Sequence, residues 1–224
     1  MLKKFVLGGM TALVLAACGG EGGSASSSTP AQSANASGSL IERINNKGTI
    51  TVGTEGTYAP FTYHDKDGKL TGYDVEVTRA VADKLGVKVE FKETQWDSMM
   101  AGLKAGRFDV VPTQAGLTSP ERQATFDKSE PYSWSGAVLV ARKDSNIKSI
   151  DDIKGVKTAQ SLTSNYGEKA KAAGAELVPV DGLAQSLTLI EQKRADATLN
   201  DELAVLDYLK KNPNAGVKIV WSAP

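Results

Sequence analysis

The chain has 224 residues, with 26 Lys plus Arg balanced by 26 Asp plus Glu, one His and one Cys. A net charge of zero argues against a nucleic-acid partner or an electrostatic membrane patch. A lone cysteine excludes an internal disulfide or a redox pair, and His64 has no second histidine with which to share a metal. No cofactor and no metal are therefore expected.

The N-terminus is a targeting segment. Residues 1–4 carry Lys3 and Lys4, residues 5–17 form an apolar run, and Leu15-Ala16-Ala17-Cys18 offers small residues before the cysteine. The run is too short to cross a bilayer, which needs about 20 apolar residues. The four residues ending at Cys18 resemble a bacterial lipoprotein processing site, which implies cleavage before Cys18 and lipidation of that residue. Without Lys3 and Lys4 the charges number 24 against 26, a balance of −2. Residues 19–39 are almost entirely small and polar, so they cannot bury a core and read as a flexible tether. From residue 40 onward the composition is that of an α/β body.

A buried strand is expected over 49–52, followed by Gly53 and Gly56, which permit a sharp turn and close approach to the backbone. Tyr58 and Phe61 follow, stiffened by Pro60, at the carboxyl end of the strand, where open α/β sheets place their ligands. Gly72-Tyr73-Asp74 closes this stretch. Apolar spacing then predicts a helix over 74–85, a strand through Val87, Val89 and Phe91, a helix over 96–105 and a strand over 108–111. The order β-α-β-α-β favours a largely parallel sheet. It begins again with strands at 157–160, 177–180 and 197–200 and helices at 166–173, 183–192 and 202–211. Arg107-Phe108-Asp109 and Arg194-Ala195-Asp196 mark a faint internal repeat. Extended runs at 137–141 and 217–221 would join two lobes as a hinge, with a ligand cleft between them.

The stretch from Gly53 to Phe61, with Gly72-Tyr73-Asp74 and the helix behind it, resembles the opening of the polar amino-acid-binding proteins that serve ATP-binding-cassette importers. The similarity runs from about residue 48 to the end. It implies a two-lobed periplasmic-binding-protein fold, with mostly parallel sheets flanked by helices and two hinge crossings. The expected divisions are a signal peptide at 1–17, a lipidated linker at 18–39, lobe I at 40–140, lobe II at 141–218 and the second crossing at 219–224. The resemblance also implies a further strand and helices beyond Pro224, so the C-terminal part of lobe I is expected to be missing.

Ser119 and Pro120 read as a helix start that puts Arg122 in the first turn, where the helix dipole disfavours a cation unless an anion is near. The plainer reading is a solvated Arg. Thr118-Ser119-Pro120-Glu121-Arg122 matches the family motif whose Arg clamps the ligand's α-carboxylate. The preceding loop is one residue longer than usual, leaving a backbone N–H at Gly116 and a carbonyl from Gln114 toward the ligand. Asp201 is either a plain helix cap or, by resemblance, the carboxylate that binds the α-ammonium. Ser164, with Asn165 and Tyr166, occupies the anion-holding turn of lobe II, where Thr163 replaces a glycine. Trp96 and Glu55 are expected to face the side-chain pocket.

The resemblance therefore implies an extracytoplasmic lipoprotein that delivers an L-amino acid to an ABC permease in the inner membrane. Its motifs look most like those of cysteine- or cystine-binding members. The rival reading is a periplasmic cyclohexadienyl-dehydratase-like enzyme on the same fold. Against an enzyme stand the missing nucleophile elbow and the missing metal cluster.

Overall fold

The structure, a computed structural model, describes residues 38–117 and 119–223. The Cys18 and Thr118 expectations lie outside these residues. The body opens with α1 (Leu40–Lys47), capped by Ser39, whose hydroxyl accepts from the Glu42 N–H while the Glu42 carboxylate accepts from the Ser39 N–H. Ser-x-x-Glu is a capping box, a start signal that the reading of 19–39 as a tether passed over. Strand β1 (Thr49–Thr54) pairs in parallel with β5 (Lys88–Glu93), and α2 (Tyr73–Leu85) connects them. Ile44, Ile50, Val52 and Ala82 form the core of this first lobe, with Val89 and Phe91 packed on it.

Three short strands, β2 (Thr57–Tyr58), β3 (Thr62–His64) and β4 (Leu70–Thr71), form an antiparallel meander between β1 and α2. Gly56 lies there at φ 72°, and Gly53 is approached by the Phe108 ring and the Met99 sulfur, so each glycine serves one of the two expected purposes. His64 bridges the Gly56 carbonyl and Glu93, each at 3.1 Å.

After α3 (Trp96–Lys104) the strand expected over 108–111 does not form. A single parallel bridge joins Val52 to Val110. The Asp109 carboxylate accepts from the Thr51 N–H at 2.7 Å, taking a donor that a ladder would use, and Pro112 supplies none. Asp109 also donates its own N–H to the Thr51 carbonyl, and in the second lobe Asp196 does the same to Lys157. The repeat read from sequence thus marks two like joints.

The second sheet has five strands in the order β10-β6-β9-β7-β8. Its members are β6 (Ala137–Arg142), β7 (Lys157–Gln160), β8 (Glu176–Pro179), β9 (Ala197–Asp201) and β10 (Val217–Ser222). Strands β7, β8 and β9 run parallel, whereas β6 and β10 are antiparallel neighbours, so the sheet is mixed. The runs expected as crossings are therefore paired strands of this sheet, and the expected divisions at 140 and 218 fall inside them. Val138 and Val140 enter one core with Leu187 and Val205, while Leu139 and Ala141 enter the other with Ile153 and Leu199. Both faces are covered, which explains the unbroken apolar run of β6. Helices α5 (Asn165–Ala172), α6 (Leu183–Glu191) and α7 (Glu202–Lys211) complete the layers.

Candidate binding site

A small cavity of about 40 Å³, partly open to solvent, lies where the carboxyl ends of β1, β7 and β9 meet the starts of α3, α5 and α6. Glu55, Tyr58, Trp96, Gln114, Ser164, Asn165 and Tyr166 line it, seven of the residues expected from sequence. Thr113, Gln160, Ser186 and Asn200 line it too and were not anticipated. The rule that ligands sit at strand carboxyl ends would have found Gln160 and Asn200, which end or nearly end β7 and β9.

Phe61, Gly116, Arg122 and Asp201 stand outside the lining. Phe61 is buried in the apolar cluster with Val138 and Leu187, its ring 5.5 Å from that of Tyr58. It stiffens the wall from behind. The Asp201 carboxylate caps α7, its Oδ1 accepting from the N–H groups of Leu203 and Ala204 at 2.8 and 3.2 Å. Oδ2 accepts from the Tyr166 hydroxyl at 3.4 Å.

Arg122 sits in the first turn of α4 (Pro120–Thr125), behind the Ser119 cap, and is buried. Its guanidinium donates to the Gly116 carbonyl at 2.9 Å and to the Thr163 carbonyl in the second lobe, and lies 5.7 Å over the Trp96 ring. The Glu168 carboxylate is 4.0 Å away. Carbonyls, a ring face and a distant anion thus stand around a cation that the helix dipole opposes. The Gly116 loop meets this guanidinium through its carbonyl.

Two further contacts span the lobes. The Tyr58 hydroxyl donates to Asn200 Oδ1 at 2.7 Å, and Asp97 Oδ1 accepts from both the N–H and the hydroxyl of Thr163 at 3.1 and 2.7 Å. Asp97 and Arg122 fasten the turn before α5 to the first lobe, and Tyr58 fastens the end of β9. Ser164 spends its hydroxyl on that turn, donating to the Ser161 carbonyl and accepting from the Gly167 N–H.

The electrostatics of the cavity favour neutral acids. Burial, and then the neighbouring Asp97, push the Glu55 carboxyl up to about 7. Asp74, just behind, is pushed up to about 6 by burial, although Gln114 and Tyr132 donate to its Oδ1 at 2.7 and 3.2 Å. Gln114, held at φ 52°, accepts from the Ser133 hydroxyl through its carbonyl, so its amide is engaged at both ends. Burial raises Tyr58 and Tyr166 as well, with Asp201 adding to both. Among the described residues no cluster of His, Cys, Asp or Glu forms a metal site.

Two lobes bridged across a polar cleft suit a capture protein. Residues 50–217 match the family of bacterial extracellular solute-binding proteins, family 3. The chain belongs to this family. A probable amino-acid ABC transporter-binding protein of Haemophilus influenzae is 60% identical over 185 residues, covering 82% of this chain and 72% of that one. The L-cystine-binding protein TcyA of Bacillus subtilis is 58% identical over 186 residues, covering 82% and 69%. The L-cystine solute receptor of Neisseria gonorrhoeae, solved in its unliganded open conformation, is 95% identical, covers 84% of this chain and 79% of that one, and superposes with a TM-score of 0.52. Near-identity of sequence thus goes with only a partial overlap of the two structures. Here Tyr58, Asp97 and Arg122 bridge the cleft. The chain is a solute-binding protein for amino-acid import, and the dehydratase reading is set aside.

Proposed function

We propose that this protein captures L-cystine between its lobes and presents the closed form to an ABC permease. The observation that carries the reading is Arg122. Its side chain reaches from α4 to Thr163 and so couples the motif expected to hold an α-carboxylate to closure itself. Asp201, fixed at the end of β9, is the proposed partner of the α-ammonium, so each ligand charge finds an opposite one. That TcyA is an L-cystine-binding protein and the gonococcal protein an L-cystine solute receptor supports the choice of ligand. The proposed site comprises Glu55, Tyr58, Trp96, Gln114, Gly116, Thr118, Arg122, Ser164, Asn165, Tyr166 and Asp201, with Phe61 behind the wall.

A thermal-shift screen of the common L-amino acids and L-cystine tests this. Ligand at a hundred times its dissociation constant stabilises by about 2.7 kcal/mol, so cystine raises the melting temperature clearly. No shift with cystine, beside a shift with another amino acid, would replace the ligand and keep the class.

Lipidation at Cys18 is proposed as the membrane anchor. No described helix is long and apolar enough to cross a membrane. Labelled fatty acid incorporated by the parent and not by Cys18→Ala supports the anchor, and equal labelling of both removes it.

A further inference from the structure

The β2-β3 hairpin is fixed to the first lobe. The Thr54 and Thr62 hydroxyls share a hydrogen bond of 2.6 Å, and Thr62 Oγ1 also accepts from the Gly56 N–H at 3.2 Å. The carbonyls of Pro60 and Phe61 accept from the N–H groups of Tyr73 and Asp74 at 3.1 and 3.0 Å. These bonds tie the hairpin to the end of β1 and to the start of α2. Its side chains nevertheless reach the second lobe in three places. Phe61 is 2% exposed, and every other buried member of its apolar cluster lies between residues 138 and 217, Ala204 and Val205 of α7 among them. Lys211 Nζ, in the last turn of α7, stands 5.1 Å from the centre of the Tyr63 ring, and Asp207, one turn back, holds that ammonium at 2.7 Å. Tyr58 donates to Asn200, just ahead of α7.

Of these, Tyr58 lines the cavity, while Phe61, Tyr63 and Lys211 stand outside its lining. When the cleft opens, Asn200 leaves Tyr58, and a hairpin held this firmly moves with the first lobe as one piece. Phe61 then leaves an apolar cluster and Tyr63 leaves a cation, each a favourable contact given up. We propose that the hairpin is an interlobe clasp, in which Phe61 and Tyr63 act as positioning residues that set the affinity of capture through the α7 cluster and Lys211, without touching the captured molecule. Closure and capture are one linked equilibrium, so free energy gained at the clasp adds to that gained at the cavity. The clasp goes beyond the cystine reading, since it works alike for any amino acid held between the lobes.

L-Cystine is the probe. Phe61→Leu keeps the site apolar at a slightly smaller volume and is expected to weaken binding by up to about tenfold. Tyr63→Leu removes the ring face, and Lys211→Met removes the charge but keeps the stem. Each is expected to weaken binding by about twofold to fivefold, and the double variant by no more than either alone. In stopped flow followed by tryptophan fluorescence, the loss is expected as faster dissociation with association unchanged. A simple core defect would lower the denaturant midpoint and leave dissociation as it is. Losses that multiply in the double variant, or dissociation from Phe61→Leu at the parent's rate, would overturn the clasp. Coupling of Tyr63 and Lys211 that shows in the denaturant midpoint but not in affinity would overturn it too, because the contact would then persist when the cleft opens. A parent that does not bind L-cystine sinks the ligand reading alone, and the same cycle is then read with the amino acid that raises the parent's melting temperature in the thermal screen.

Discussion

Replacing Arg122 by Ala separates two jobs that one side chain performs. The guanidinium donates to Gly116 within its own lobe and to Thr163 in the other, and only the second bond depends on closure. A hydrogen bond from a charged donor contributes about 1.5–3 kcal/mol, so losing the Thr163 bond alone weakens closure-linked binding by about tenfold to a hundredfold. If the same group also clamps the ligand's carboxylate, a further loss of about 2–5 kcal/mol follows, because the ligand's charge is left buried and unpaired. The expected outcome is therefore a loss of cystine affinity well beyond a hundredfold. Arg122→Lys, which keeps the charge and loses the fork, is expected to fall between the parent and Arg122→Ala. Titration calorimetry reads the affinity, and circular dichroism with a denaturant midpoint checks the fold. A loss between tenfold and a hundredfold would leave Arg122 as a closure latch that never meets the ligand. A variant that folds and binds within threefold of the parent would refute both roles.

Stability in the absence of ligand is expected to fall as pH rises from about 4 to 7. Asp74 is raised from 3.8 to about 6 and Glu55 from 4.5 to about 7, so each contributes stability that is complete below its unfolded value and lost as pH climbs through the folded one. For buried Asp74 this amounts to at most about 3 kcal/mol. Asp74→Asn should flatten the dependence of the denaturant midpoint on pH, and an unchanged slope would clear Asp74 of the effect. Gly72→Ala places a Cβ about 2.3 Å from the Phe61 carbonyl oxygen at a residue with φ 121°, and is expected to cost about 3 kcal/mol or more. A midpoint equal to the parent's would contradict that crowding. Leu187→Ala, at a fully buried site in the second lobe, should cost about 2–5 kcal/mol in the same assay, and a loss under 1 kcal/mol would mean that the core collapses around it.

Periodicity served where one element buries one face. The strand at 157–160 and the helix at 202–211 were read to the residue, since each is bounded by turn or cap residues. It failed at 108–111, where the apolar run is real but Asp109 turns its carboxylate back onto the β1 backbone, a tertiary act that no local pattern records. The meander β2-β3-β4 was missed because strands of two or three residues carry no period. In the site, residue types at strand ends were legible. Their division of labour was not. Sequence could not say that Phe61 packs behind the wall, or that Gln114 is held at both ends by Asp74 and Ser133. Asp97 went unremarked beside Trp96, although its two bonds to Thr163 help hold the lobes together.

Asp201 was weighed as either a helix cap or a ligand group, and the cap it forms would prepare the proposed ligand role. With Oδ1 bound to two backbone N–H groups of α7, the side chain has given up its rotamer freedom during folding. In the proposed role, an ammonium arriving at Oδ2 would meet a carboxylate already aimed, with no further ordering entropy lost there. The helix would bear that entropic charge in advance, so the proposed ligand group would gain affinity from being conformationally mute.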